Sequence, residues 1–303
     1  MPPQEPYTQQ SAPFTPAVTP LRVGKFKASS MLVEQSWALL KQDKEILWFP
    51  VLSTVTSIVA LILMAVLFFF TVMGGDVNTF ESEAEQAMGL LEYGILIVYY
   101  TVMFFIVNFF QAGIYIIAHG RMNGRDLTFS DGIQGATNAA GKIFLWSLIS
   151  ATVGVVLRAI ADRSKLVGRI IVALLGAAWN ILTYFSLPAL VIGNVSVVDS
   201  FKVSAATIRK TWGETLILNI GMGLFFFLIA FLGIALGIGI IMLAPVAVVA
   251  LPVFILLVVY IVALSIVSSA LGAIFKLALY QYAQTGVVPE GFSPELIQNA
   301  VKR

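Results

Sequence analysis

The run from Leu216 to Phe275 constrains this chain more than any other feature. Its sixty residues contain no Lys, Arg, Asp, Glu or His. A helix that is apolar on every face has no side to offer water, so the run belongs in lipid. One crossing needs about 20 residues, so the run is long enough for two. The chain is an integral membrane protein.

Charge is scarce elsewhere too. Charged residues make up 11% of the chain, against about 25% in ordinary soluble domains. The net charge of +2 suggests neither nucleic acid nor a strongly acidic partner. There is no Cys, which excludes disulfides, thiolate catalysis and Cys-based metal sites. His119 is the only histidine and leaves little for zinc ligation or a His-based proton relay. Gly120, Gly124 and Gly132 form no phosphate loop, because there is no GK[ST] and no preceding strand. With no nucleophile–base set either, the chain reads as non-enzymatic and without a cofactor.

Residues 1–20 carry six prolines and no apolar core, so they are not a signal peptide. Such a segment cannot bury enough apolar surface to offset its ordering entropy. The sequence therefore predicts a disordered cytoplasmic tail over 1–24, a membrane domain over 25–286 and a short cytoplasmic tail over 287–303.

Six apolar segments follow one another. They run from Ile46 to Met73, Tyr93 to Ala118, Ile143 to Leu157, Ile170 to Ile192, Leu216 to Leu243 and Val246 to Phe275. The third is short, and Ala244-Pro245 marks a turn between the last two. No series of alternating strands is visible that would make a barrel. The predicted fold is all-α: a polytopic membrane helix bundle of six crossings arranged as three hairpins. A short amphipathic interfacial helix precedes each hairpin.

Lys and Arg set the orientation. Arg22, Lys25, Lys27, Lys41 and Lys44 precede the first crossing. Arg121, Arg125 and Lys142 separate the second from the third, and Lys202, Arg209 and Lys210 the fourth from the fifth. Lys276, Lys302 and Arg303 follow the sixth. Alternation puts all four regions, and both termini, on the cytoplasmic side of the cell membrane. The first outer loop carries Asp76, Glu81, Glu83 and Glu85 and no base. One loop disagrees: Arg158, Arg163, Lys165 and Arg169 fall outside. Either that hairpin crosses fully, or it is re-entrant or tilted.

The three amphipathic stretches resemble one another. Val198, Phe201, Ala205, Ile208 and Trp212 recur at helical spacing, as do Phe129, Ile133, Ala136, Ala140 and Ile143. Phe26, Val33, Trp37 and Leu40 keep the pattern before the first crossing. Ser30, Asp131 and Asp199 are candidate N-caps, with Lys41, Lys142 and Lys210 each eleven residues later. Three repeated units are one reading, and ordinary amphipathic connectors are the other.

The stretch Ser36-Trp37-Ala38-Leu39-Leu40-Lys41-Gln42-Asp43-Lys44-Glu45-Ile46-Leu47-Trp48-Phe49-Pro50 resembles the opening signature of a prokaryotic family of uncharacterised multi-pass membrane proteins, known only as a domain of unknown function. The resemblance continues through Arg121-Met122-Asn123-Gly124, Asp131-Gly132, Trp146 to Gly154, Gly176-Ala177-Ala178-Trp179 and Ala278-Leu279-Tyr280. It spans most of residues 30–290. It implies a six-crossing membrane domain and no activity.

Polar residues inside crossings usually face the bundle interior. Asn108, Gln111, Asn180 and Asn219 are the candidates. They either line a polar passage or make interhelical hydrogen bonds of about 0.6 kcal/mol each. Lys41, Lys44, Lys142, Lys202, Arg209 and Lys210 are the candidate headgroup contacts, each contributing about 1 kcal/mol near an anionic surface. Gly233 and Gly237 have the small-xxx-small spacing of a close helix contact, either within the chain or between copies. Membrane lipids are the expected partners, together with a second copy or another membrane protein, and nucleic acid is not one. Two functions remain: membrane organisation, assembly or lipid interaction, and a small-molecule transporter or channel without buried coupling charges.

Lys165→Cys adds a thiol to a chain that has none. A membrane-impermeant maleimide should label it from the outer side. Labelling only from the cytoplasm would rule out six full crossings.

Overall fold

In lipid each backbone N–H and C=O must bond within its own segment, which a helix achieves. The computed structural model describes residues 25–71, 90–243 and 247–293, and every regular element among them is helical. In chain order these are α1 (Lys25–Gln42), a 3₁₀ turn (Lys44–Leu47), α2 (Trp48–Thr71), α3 (Leu90–Met122) and α4 (Phe129–Asn138). Then come α5 (Ala140–Asp162), α6 (Leu166–Leu182), α7 (Ser186–Val191), α8 (Val197–Leu243) and α9 (Ala247–Thr285). Among the described residues, six helical stretches are long and apolar enough to cross a membrane.

Three segments depart from the sequence expectation. The third is not short: α5 has 23 residues, about 35 Å, which is long enough to cross. The fourth is broken between Leu182 and Ser186. Pro188 has no N–H for the Tyr184 carbonyl, and the Thr183 hydroxyl bonds back to Trp179 O at 2.7 Å. The fifth has no separate interfacial helix before it, because α8 runs unbroken for 47 residues, about 70 Å. Nothing between Val197 and Leu216 stops a helix. There is no proline, and the lone Gly213 costs only about 1 kcal/mol relative to Ala. The Ala244-Pro245 turn, the acidic loop and the 1–24 tail lie outside the described residues.

The caps also shift. Ser30 lies inside α1, which begins at Lys25. Thr128, not Asp131, caps α4. Its hydroxyl accepts from Asp131 N–H at 3.3 Å, while Asp131 Oδ2 accepts from Thr128 N–H at 2.8 Å. Donation to Asp131 Oδ2 from the Thr128 N–H, and next from the Thr128 hydroxyl at 2.8 Å, holds the Asp131 carboxyl below its usual range. Ser196 and Asp199 repeat the arrangement before α8: Ser196 Oγ accepts from Asp199 N–H at 3.1 Å and donates to Asp199 Oδ2 at 2.7 Å. Lys202 and then Ser196 lower the Asp199 carboxyl similarly.

The core sits where the basic connectors gather, at what we call the closed end. Phe49 is its anchor, 0% exposed. Gly113 of α3 and Gly132 of α4 leave its slot. A Cβ at Gly113 would lie 2.0 Å from Phe49 Cε1, and one at Gly132 would lie 2.6 Å from Cζ. The Phe129 ring completes the contact at 4.7 Å. Beside this slot Arg121 Nε donates to Asp43 Oδ2 at 2.8 Å, and Glu45 accepts from the Phe129 N–H that opens α4. Across the closed end Trp146 stacks on Trp179 at 6.3 Å, with Phe201 against both at 5.2 and 5.6 Å. Residues 287–293, expected as tail, turn back at Gly286 (φ +71) and Gly291 (φ +89). There Phe292 is buried, and Ser293 N–H donates to Gln35 Oε1 at 3.1 Å.

Away from this core the crossing helices present large apolar side chains outward. There α8 and α9 still touch. Gly233 lies under the Tyr260 ring and Gly237 under Leu257, while the Tyr260 hydroxyl donates to Ile229 O at 2.6 Å. The small-xxx-small pair is thus occupied within the chain.

Phe49→Ala should lower stability by about 3–5 kcal/mol, seen as a marked drop in the detergent melting temperature. Phe70→Ala, at a position 66% exposed, should change it by less than about 0.5 kcal/mol. Equal losses would contradict the one-ended core.

Candidate functional site

A polar side chain at membrane depth needs a partner, and each candidate has solved this differently. Asn108 Nδ2 donates to Ser147 Oγ at 3.1 Å and so ties α3 to α5. Asn180 is exposed on α6 and joins no other candidate. The side chain of Asn219 lies outside the described residues. Gln111, one turn beyond Asn108, makes no hydrogen bond among the described residues.

Gln111 instead lines a cavity of about 230 Å³ between α2, α3 and α9. Pro50, Ser53 and Thr54 come from α2, and Ser265 and Ser269 from α9, with apolar side chains completing the wall. No charged residue lines it. The hydroxyls of Thr54 and Ser265 bond to the carbonyls of Pro50 and Ile261 at 2.8 Å each. Those of Ser53 and Ser269 make no hydrogen bond among the described residues. Pro50 stands in the first turn of α2, where an amide would have no helical partner anyway. It therefore shapes the wall without breaking the helix. Ser265 and Ser269 are exposed, so the cavity opens sideways onto the apolar surface.

Depth follows from Trp48, which is 59% exposed at the start of α2. Exposed tryptophans favour the membrane–water interface. Ser53 is five residues further in, about 7–8 Å along the helix.

The six basic candidates divide. Lys142 Nζ donates to Asn194 O at 3.1 Å and Oδ1 at 2.7 Å. Lys202 pairs with Asp199 at 2.9 Å. Lys210 donates to Ala283 O near the end of α9 at 3.4 Å. Lys41 lies over the Trp37 ring at 5.8 Å. Lys44 and Arg209 are exposed and have no ion-pair partner among the described residues.

Lys276, which the sequence places after the sixth crossing, lies within a helix. α9 continues past Phe275 and carries Lys276 into the closed end, its Nζ 4.4 Å from the Tyr184 ring. No carboxylate pairs with it among the described residues. The signal was its setting, Ile274-Phe275-Lys276-Leu277-Ala278-Leu279, where a lysine stands alone among apolar residues on both sides. The nearby run of α3 holds Tyr115, whose buried hydroxyl has no hydrogen-bond partner among the described residues.

Residues 90–290 match the sequence model of a family of unknown function (DUF6159). They include the Arg121–Gly124, Trp146–Gly154, Gly176–Trp179 and Ala278–Tyr280 stretches, and the Ser36–Pro50 stretch precedes them. No curated protein and no solved structure matches the chain.

A double-mutant cycle of Asn108→Ala and Ser147→Ala should give a coupling of about 0.6 kcal/mol, the usual worth of an intramembrane hydrogen bond. Zero coupling in detergent unfolding would dissolve the α3–α5 tie.

Proposed function

The chain belongs to the family of unknown function DUF6159, which brings no activity with it, and we propose that it is a non-enzymatic, lipid-interacting organiser of the membrane. One observation carries this reading. Three polar groups without hydrogen bonds among the described residues, on Ser53, Gln111 and Ser269, face one cavity that opens sideways at membrane depth. Asn108 is spent on Ser147 and Asn180 is exposed, so these amides favour no common passage.

In this reading the closed end faces the cytoplasm of a prokaryotic cell membrane, with both termini on that side. Membership of the Ser36–Pro50 stretch in the family pattern is part of this reading, supported by the way Asp43, Glu45 and Phe49 hold the closed end together. Lys41, Lys44 and Arg209 are the bases left for anionic headgroups, at about 1 kcal/mol each. Lys142, Lys202 and Lys210 serve mainly as internal ties.

Native mass spectrometry of the full chain in mild detergent should show retained phospholipid. Liposomes containing the protein should pass ions and small neutral solutes no faster than empty ones. Absence of retained lipid would overturn the lipid reading. Solute flux abolished by Gln111→Leu would replace it with transport.

A further inference from the structure

We propose that the cavity between α2, α3 and α9 holds the uncharged glycerol–ester segment of a lipid from the leaflet at the closed end. The proposal rests on the lipid-interaction reading and specifies its site. Three groups without hydrogen bonds, the Gln111 amide and the Ser53 and Ser269 hydroxyls, come from three different helices and meet at one cavity. In hydrocarbon such groups are costly to leave unpaired. Each can donate, and an ester carbonyl is an acceptor that donates nothing. Thr54 and Ser265 keep lone pairs free after donating to their own helices, so they can accept from a glycerol hydroxyl.

Depth selects the same segment. The polar lining of the cavity begins about one to two turns inside the level of Trp48, where headgroup gives way to acyl chain. The absence of charge selects it again, since a phosphate or ammonium would find no counter-charge in the lining. The sideways opening leaves the acyl chains along the exposed faces of α2 and α9. A free phosphate or a soluble sugar has no such route and no such chains to place. Intact phospholipid and diacylglycerol share the glycerol–ester chemistry, so the test separates them by competition.

The experiment uses the full chain in nanodiscs of phosphatidylethanolamine and phosphatidylglycerol, doped with a phospholipid bearing a diazirine close to the ester. Cross-linked peptides are then mapped by mass spectrometry. Adducts should concentrate on peptides holding Ser53, Gln111 and Ser269 rather than on those of the exposed α6 face. Gln111→Leu should cut the yield there about threefold, the loss expected for one intramembrane hydrogen bond. The melting temperature should stay unchanged. Should that variant fold poorly, Ser269→Ala at an exposed position provides the same comparison. Dioleoylglycerol should compete with the probe. Adducts spread evenly over all lipid-facing helices would overturn the proposal. So would competition by intact phospholipid but not by dioleoylglycerol. Even labelling alongside phospholipid retained in native mass spectrometry would sink this site while leaving the broader lipid reading intact.

Discussion

Everything else in the molecule depends on the seat of Phe49. Helices in lipid gain nothing from the hydrophobic effect by meeting, because acyl chains are as apolar as leucine. Close packing and hydrogen bonds must hold them instead. Gly113 and Gly132 remove the two side chains that would exclude the ring, and Phe129 lies on it. One aromatic knob thus fixes the start of α2, the inner part of α3 and the start of α4 relative to each other. Asp43–Arg121 and Glu45–Phe129 then set direction at the rim of the slot. Arg121 is partly exposed, so its pair adds orientation more than energy.

With that corner fixed, polar ties close the rest of the layer. Gln281 reaches Asn123 and Gln284 reaches Thr207, which binds α9 to the end of α3 and to the first half of α8. The Trp146, Trp179 and Phe201 cluster does the same for α5, α6 and α8. The cavity is the gap this arrangement leaves between α2 and α9. Pro50, next to the buried Phe49, lines it, so the cavity lies beside the Phe49 corner.

The crossings were legible because length and continuous apolarity are local properties. The joints were not. Thr128 and Asp131 belong to one reciprocal box, so either can be taken for the cap. The unbroken α8 looked like two elements because its first half is amphipathic and its second is not, yet no breaker divides them. Hydropathy runs on unbroken across Pro188, and the restart at Ser186 depends on α7 packing into the core. At the cavity, Gln111 was legible as an amide in an apolar run. Ser53 and Ser269 were not, because serine in a membrane helix commonly bonds back to its own turn. Which serine faces a gap is settled by helix rotation, and periodicity does not report that when nearly every position is apolar. Hydropathy ends the sixth crossing at Phe275 and leaves Lys276 outside it, because helix length past the bilayer cannot be read from hydropathy.

The length of α8 has a mechanical consequence. Its first half is clamped in the closed end and its second half runs to the far side among lipids, joined to α9 through Tyr260 and Ile229. An uninterrupted helix of this kind is a lever with its fulcrum at the clamp. The free arm is the second half, about 40 Å long, so a tilt of about 5° at the clamp would carry its tip by about 3–4 Å.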